Sequence, residues 1–349
     1  MEPSQLLSDF CAPLGPPGRE DEVRQAVRAV LEPHAHRLET DRLGNLRAWL
    51  NPERRPLVML DAHMDEVGLV VQHVDERGFL RVAALGGLDA RLAPGARVTL
   101  QPRPGTHLPA VVGLLPPHVE KPADKDKALP WEALYLDAGL EGAEAVAAAG
   151  VEVGTPGVLE AGQGPLGAGC FCARNLDDRA GCAVLAAVLM GLAQGGAPDC
   201  GLVFNFAVAE EVGLRGAATA AFDLAPDLAL AVDCTVGDTP GLEEARRPSR
   251  LGGGPAITVS DGRIVVPWRL VESLERAARE AGVACQRKKP PYGGTDAGAI
   301  HLSRGGVPTA VVSVPARYIH SPVSLLRLAD LEATAALVKA WLARAPELA

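Results

Sequence analysis

The spacing of apolar and polar residues divides the chain into parts with different periodicities. Residues 20–32 carry apolar side chains at helical spacing, whereas Leu46–Leu50 and Leu57–Leu60 are short apolar runs typical of buried strands. From about Val67 to Gly169 the pattern changes to short β-like runs separated by glycine and proline. We therefore predict a small β-barrel inserted into an α/β domain.

The α/β alternation resumes after Gly169. Apolar residues at helical spacing predict helices at Ala180–Leu192, Leu270–Ala281 and Leu328–Leu342. Continuous apolar runs predict buried strands at Gly201–Val208, Leu228–Val232 and Thr309–Val314. The predicted division is an α/β domain formed by residues 1–66 and 170–349, with residues 67–169 as the inserted barrel.

Composition and charge exclude several classes of protein. The 349 residues are 48% apolar and 22% charged, which is ordinary for a globular protein with a sizeable core. The net charge of −9 argues against a nucleic-acid partner. No uncharged apolar run reaches the ~20 residues of a membrane span, and the N-terminus lacks the pattern of a signal peptide. We expect a cytoplasmic protein whose seven cysteines are reduced.

A His-x-Asp sequence directly after the apolar run Leu57–Leu60 is the first sign of chemistry. A metal-bound imidazole needs an acceptor for its other ring nitrogen, and a carboxylate two residues along the same strand can supply it. His63 is therefore a candidate metal ligand oriented by Asp65. The alternative for an isolated His-x-Asp is a surface histidine beside an aspartate.

Further acids and a histidine lie at the ends of other predicted elements. Asp177 stands at the start of a helix, where an N-cap is the alternative. Glu210 and Glu211 end the most apolar strand, and Asp233 directly follows the next strand. His320 lies just beyond a further predicted strand. In open α/β sheets ligands bind at the carboxyl ends of the strands, so we expect these residues to converge.

Two imidazoles and three carboxylates form this set, which consists of His63, Asp177, Glu211, Asp233 and His320. Mixed nitrogen and oxygen ligands suit zinc or cobalt better than calcium or magnesium, which prefer oxygen alone. We interpret the set as a site for two divalent ions. On an extended backbone Glu210 and Glu211 would point to opposite sides, so that one binds metal and the other faces the substrate.

Six segments carry a family resemblance. They are AHMDEVG, NLDDRAG, AEEVGLRGA, AVDCTVGDTPG, GGTDAGAIHLSRGGVPTA and PARYIHSP. In order and spacing they resemble the M42 family of metallo-aminopeptidases, whose members are also labelled glutamyl aminopeptidase, deblocking aminopeptidase or endoglucanase. The resemblance runs from the segment PGREDEVR to the final predicted helix.

The resemblance implies a role for each candidate residue. It implies one ion held by His63 and Asp233, the other held by Glu211 and His320, and Asp177 bridging the two. Glu210 would be the general base, and Asp65 would support His63. A cis peptide bond would join Asp177 to Asp178. Thr155 stands where family members often have an acid, at a position remote from these ligands.

The family also implies a fold and an assembly. Its members have a mixed central sheet flanked by helices and an inserted β-barrel or PDZ-like domain that mediates dimerisation. Dimers assemble into a hollow tetrahedral dodecamer. The implied activity is removal of N-terminal residues from peptides with a free N-terminus, by a water that bridges two divalent ions and gives its proton to Glu210.

Other functions remain open at this point. A glycosidase needs two carboxylates but no metal, which would leave both histidines without a role. A dinuclear-metal carboxypeptidase or deacylase would use the same ligands on a different substrate. A non-catalytic cage assembled by metal would not need Glu210. Gly293–Asp296 is a candidate wall of the site, and the alternative is a glycine turn before a helix N-cap.

Overall fold

In the computed structural model, which describes residues 2–116, 118–119, 128–289 and 293–349, the strands form an eleven-stranded mixed sheet and a closed barrel. The strands, numbered along the chain, are β1 (Arg37–Thr40), β2 (Leu46–Leu50), β3 (Leu57–His63), β4 (Gly68–Val74), β5 (Leu80–Leu85), β6 (Arg97–Arg103), β7 (Thr106–Val112), β8 (Leu136–Asp137), β9 (Pro156–Leu159), β10 (Gly164–Leu166), β11 (Cys170–Ala173), β12 (Gly201–Ala207), β13 (Leu228–Val236), β14 (Ala256–Thr258), β15 (Gln286–Lys288), β16 (Thr309–Arg317) and β17 (Ser324–Arg327).

The helices lie mostly outside the barrel. They are α1 (Pro3–Cys11), α2 (Asp21–Leu31), α3 (Gly142–Ala148), α4 (Leu176–Gly195), α5 (Arg215–Leu224), α6 (Trp268–Ala281), α7 (Ala297–Ile300), α8 (Leu328–Leu342) and α9 (Ala345–Leu348). Short 3₁₀ turns occur at Ala90–Leu92, Trp131–Ala133 and Glu244–Arg246. Within the described ranges, no helix is both long enough and apolar enough to cross a membrane.

Four parallel strands form the centre of the large sheet. The strand order is β1-β2-β12-β3-β13-β16-β17-β11-β10, and β14 pairs with both β15 and β16. Strands β12, β3, β13 and β16 run parallel, with His63 of β3 beside Ala207 of β12. Because parallel strands end at the same edge, residues at their carboxyl ends are brought together.

Helices cover both faces of this sheet, because successive side chains of a strand point to opposite sides. In β3, Val58 and Leu60 belong to the core cluster that includes α4, whereas Leu57 and Met59 pack with α5 and α7. Both sets are essentially inaccessible to solvent. The predicted mixed sheet flanked by helices is confirmed.

The barrel has the strand order β4-β5-β8-β7-β6-β9 and is closed. Its own apolar core contains Leu69, Val71, Leu80 and Val82 at alternate positions of β4 and β5. The predicted insertion of a small β-barrel is confirmed. Its strands lie within the segment 67–169, and β10 of that segment pairs with β11 in the large sheet. The domain limits stay a prediction.

Most predicted elements occur at their expected places, but several strands are longer than their apolar runs. Strand β3 continues to His63, so it ends before Asp65, and our expectation that both residues share a strand is wrong. Strand β13 continues to Val236, so Asp233 lies inside the strand and does not follow it. The backbone pairing of Asp233 with Ser313 continues the strand past its apolar run.

A buried ionic network ties the first helix to the central sheet. Glu66 forms ion pairs with Arg174, whose Nε is 2.7 Å from Oε2, and with Arg179, whose Nη2 is 3.3 Å from Oε1; both Glu66 and Arg179 are buried. Arg179 also donates to the backbone oxygens of Met64 at 2.8 Å and Phe10 at 2.5 Å. The network therefore joins α1, the segment after β3 and the start of α4, which are the elements around His63.

Candidate metal centre

The predicted ligands meet at the carboxyl edge of the parallel strands. His63 is the last residue of β3, and Asp233 lies in the C-terminal half of β13. Glu211 follows β12, and His320 comes three residues after the end of β16. Asp177 joins them from the start of α4, where its backbone angles are non-helical.

Asp177 lies between the two imidazoles. Its Oδ1 is 3.2 Å from His63 Nε2, and its Oδ2 is 3.5 Å from His320 Nε2. Glu211 Oε1 is 3.3 Å from His320 Nε2, and Glu210 Oε2 is 3.9 Å from His63 Nε2. Each oxygen of Asp177 therefore faces a different histidine.

Among the described residues, two overlapping groups of side chains could hold a metal ion. The ligand atoms of His63, Asp177 and Glu211 lie within 4.8 Å of one another, and so do those of His63, Asp178 and Asp233. Asp178 was not among the predicted candidates. Its oxygens accept the backbone N–H groups of Gly181 at 2.9 Å and His63 at 3.3 Å, so they are used within the chain. The peptide bond between Asp177 and Asp178 is cis, as the resemblance implied.

Asp65 contacts the site differently from our expectation. Its carboxylate accepts the backbone N–H groups of Glu210 at 2.9 Å and Glu211 at 3.0 Å. His63 Nδ1 is 3.1 Å from the backbone oxygen of Asp65 and 3.5 Å from its Oδ1. The shorter contact of the imidazole is thus with the backbone, while the carboxylate holds the loop that carries both glutamates.

Glu20 is a second buried carboxylate that holds this loop, and the sequence analysis did not identify it. Its Oε1 accepts the N–H groups of Ala209 at 3.1 Å and Gly18 at 2.9 Å. Strand β12 ends at Ala207, Ala209 has φ of 55°, and the N–H of Gly213 donates to the backbone oxygen of Glu210 at 2.8 Å, so Glu210 and Glu211 lie in a turn and not on extended backbone. Our reason for separating the two side chains was therefore wrong, although they do contact different histidines.

Burial and crowding change the proton affinity of these groups. Burial raises the pKa of Glu210 to about 8, with the charges of Glu211 and Asp177 adding to it and His63 opposing. Asp177 is also buried, but hydrogen bonds from His320 and His63 lower its pKa. Burial opposes the charged form of His320, yet Asp177 and Glu211 raise its pKa to about 11. The raised pKa values of Glu210 and His320 show that positive charge is favoured among these carboxylates.

The donor set fits a divalent metal. Glu211 Oε1 is buried and makes no hydrogen bond within the described part of the chain, so an acceptor atom is left for a cation. A cavity of about 150 Å³ adjoins these side chains. Gly293 and Gly294 line it, as predicted for one wall, whereas Thr295 and Asp296 are buried beside α7 outside that lining.

The barrel contributes to the site through two glycines that the sequence analysis missed. Gly86 and Gly87 follow β5, and a Cβ atom on Gly87 would lie 2.6 Å from His320 Nδ1. A Cβ atom on Gly86 would lie 3.1 Å from Glu211 Cβ. Only the absence of side chains lets this segment lie against both candidate ligands.

Comparison with known proteins gives one family. The model of the M42 glutamyl aminopeptidase family matches residues 44–337. The chain is 33% identical to the lysyl aminopeptidase of Pyrococcus furiosus, over 92% of this chain and 90% of the relative. It is 34% identical to the glutamyl aminopeptidase of Lactococcus lactis subsp. cremoris, over 90% of this chain and 88% of the relative.

Solved structures with the same fold agree. An aminopeptidase from the archaeon Desulfurococcus kamchatkensis superposes with a TM-score of 0.92 at 34% identity, covering 98% of this chain and 95% of that protein. The TET1 peptidase of Pyrococcus horikoshii superposes with a TM-score of 0.87 at 31% identity, covering 97% of this chain and 98% of that protein. That peptidase is described as able to assemble into a tetrahedron or a large octahedral shell.

Replacing Gly87 with alanine should displace the His320 ring, because the new Cβ would lie 2.6 Å from Nδ1. The φ of Gly87 is not positive, so alanine fits the backbone. We expect metal affinity and kcat/KM to fall about tenfold or more, with little change in unfolding temperature. Gly162→Ala is the control, because nothing lies within 4 Å of its Cβ. Equal activity of the two variants would contradict this role of Gly87.

Glu20→Gln should make stability less dependent on pH. Burial, and then the charge of Asp65, raise the pKa of Glu20 to about 7. Because this pKa is raised by folding, protonated Glu20 stabilises the native state at low pH, and the contribution is lost as pH rises through about 7. Glutamine keeps an acceptor oxygen and does not ionise. Relative to that of the wild type, the free energy of unfolding of the variant should increase by about 2–3 kcal/mol between about pH 5 and about pH 8.

Urea unfolding of the two metal-free proteins at both pH values measures this gain. A stability difference that stays the same at both pH values would show that the Glu20 carboxyl has no raised pKa in the folded protein.

Proposed function

The chain belongs to the M42 family of aminopeptidases, and from this premise we propose that it removes N-terminal residues from peptides at a pair of divalent ions. The observation that carries the proposal is the convergence of two imidazoles and four carboxylates at one sheet edge. We further propose zinc or cobalt as the metal, because both accept mixed nitrogen and oxygen ligands.

In this proposal His63 and Asp233 hold one ion, Glu211 and His320 hold the other, and Asp177 bridges them. The contact of each Asp177 oxygen with a different histidine supports the bridging role. Asp178 is left out of the ligand set, because its two oxygens already accept backbone N–H groups. Asp65 acts as a positioning residue through the backbone of the Glu210–Glu211 loop and through His63.

When bound, the two ions would supply a water molecule of lowered pKa and polarise the carbonyl group of the scissile peptide bond. Glu210 is the general base, and its Oε2 accepts the proton of the attacking water. The same oxygen then donates the proton to the nitrogen of the departing amine. Without metal, burial raises the pKa of Glu210 to about 8, whereas two bound cations would lower it and leave the carboxylate ionised, ready to accept a proton.

The peptides we propose as substrates carry a free N-terminus, since the relatives are aminopeptidases. A dinuclear-metal carboxypeptidase or deacylase could use the same ligands, but the family match favours the aminopeptidase. Glu210 lies in the cluster beside His63. A non-catalytic cage assembled by metal would not explain why a carboxylate is present at this position.

We propose that residues 67–169 form a dimerisation domain and that residues 1–66 and 170–349 form the catalytic domain. The closed barrel within the first segment supports this division. We also propose a dodecamer assembled from dimers, by analogy with the TET1 peptidase that is described as forming a tetrahedron. The likeness over nearly the whole length of both chains supports the analogy.

Aminoacyl p-nitroanilides, each paired with its N-acetylated form, test the reaction. We expect metal-stripped protein to be inactive and zinc or cobalt to restore cleavage of the free-amine substrates alone. Release of p-nitroaniline is followed by absorbance. Release of acetate from the acetylated substrates would favour a deacylase, release of p-nitroaniline from them would show that no free amine is needed, and activity that survives complete metal removal would overturn the metal site.

Replacing Glu210 with glutamine tests the general base. The variant keeps the backbone N–H that Asp65 accepts, so we expect it to retain two metal ions and the native assembly while kcat falls by about 10²–10⁴-fold. Glu211→Gln is the matched comparison, and it should lower the bound metal measured by elemental analysis. Unchanged kcat in Glu210→Gln would rule out this residue as the base.

A further inference from the structure

Three successive cations in and after β15 differ in their surroundings. Arg287 is exposed and pairs with Glu275 at 2.5 Å, and Lys289 Nζ donates to the backbone oxygen of Glu244 at 2.9 Å. Lys288, between them, is 4% exposed. Because successive side chains of a strand point to opposite sides, Lys288 faces away from the partners of its neighbours.

Lys288 faces the cavity of the metal centre. It lines the same cavity of about 150 Å³ as Glu210, Asp233 and Gly294. Within the described ranges no carboxylate oxygen lies within 4.0 Å of its ammonium group. Its ammonium group therefore has no anionic partner among the described residues, and a negatively charged group that enters the cavity would supply one.

The charges of the site indicate where that group comes from. This inference rests on the proposed function. In that proposal the four positive charges of two divalent ions balance the four negative charges of Asp177, Glu210, Glu211 and Asp233. Asp65 and Asp178 accept backbone N–H groups and do not line the cavity, so no carboxylate of the cavity wall is left to neutralise Lys288. The peptide is the remaining source of negative charge in the cavity.

We propose that Lys288 selects peptides whose first residue is acidic, by pairing its ammonium group with the side-chain carboxylate. A cavity of about 150 Å³ beside the ligands has room for a single side chain of this kind. Sequence identity does not decide the matter, since relatives at 33% and 34% identity are named lysyl and glutamyl aminopeptidase. Lys288 repels a basic first residue and attracts an acidic one.

Glutamyl and glutaminyl p-nitroanilide test the preference in the metal-loaded wild-type enzyme. They differ only in the charge of the side chain, and neither has a C-terminal carboxylate that Lys288 could bind instead. We expect kcat/KM for the glutamyl substrate to be about 10- to 100-fold higher, the range of a charge-assisted hydrogen bond. Lysyl p-nitroanilide should be the poorest of the three.

Lys288→Met should abolish the difference between the glutamyl and glutaminyl substrates while leaving kcat/KM for the glutaminyl substrate within a few-fold. Lys288→Arg keeps the positive charge and should retain most of the preference. Lys289→Met is the matched control, because it removes the neighbouring cation whose partner lies outside the cavity. We expect this control to keep the wild-type ratio.

The outcomes separate the two proposals. If all three free-amine substrates are cleaved but the wild type does not prefer the glutamyl one, the role of Lys288 is overturned and the aminopeptidase stands. A preference that survives Lys288→Met in protein with normal metal content also overturns it. If no substrate is cleaved with metal present, both proposals fail. The wild-type ratio decides the matter even if Lys288→Met does not fold.

Discussion

Repulsion among buried carboxylates is the constraint on which the rest of the structure depends. Asp177, Glu210, Glu211 and Asp233 come from three separate parts of the chain and meet within a few ångströms of two imidazoles. Burial raises the pKa of Glu210, Glu211 and Asp233, so without a cation the ionised forms are unfavourable. A scaffold must therefore hold these groups together against their mutual repulsion until a cation binds.

Backbone hydrogen bonds to other buried acids provide that scaffold. Asp65 accepts the N–H groups of Glu210 and Glu211, and Glu20 accepts that of Ala209 directly before them. The Glu66 network with Arg174 and Arg179 fixes the segment that carries Asp65. Since breaking a buried ion pair leaves an uncompensated charge, this segment can shift only at high cost. The geometry of the candidate ligands is thus set largely by residues outside the ligand set.

The sequence predicted the sheet and the candidate ligands because both depend on short-range patterns. Apolar runs mark the strands, and an acid or histidine near their carboxyl ends falls at one edge by topology alone. The ends of the strands were less predictable. Strand β13 continues through Asp233 because the backbone there still pairs with β16, and the side-chain pattern of the sequence does not reveal such pairing. Glu20 and Gly87 could not be identified, since their contacts with Ala209 and His320 join residues more than a hundred positions apart.

The position of the barrel in the chain links it to the metal centre. The chain enters the barrel directly after His63–Glu66 and returns to the large sheet just before Asp177, so both connections adjoin candidate ligands. Gly86 and Gly87 of the barrel also lie against Glu211 and His320. A movement of the barrel relative to the sheet would therefore reach four candidate ligands through direct contact or covalent connection. The position of the barrel and the geometry of the candidate ligands are thus linked, because the packed segment between them has little free space.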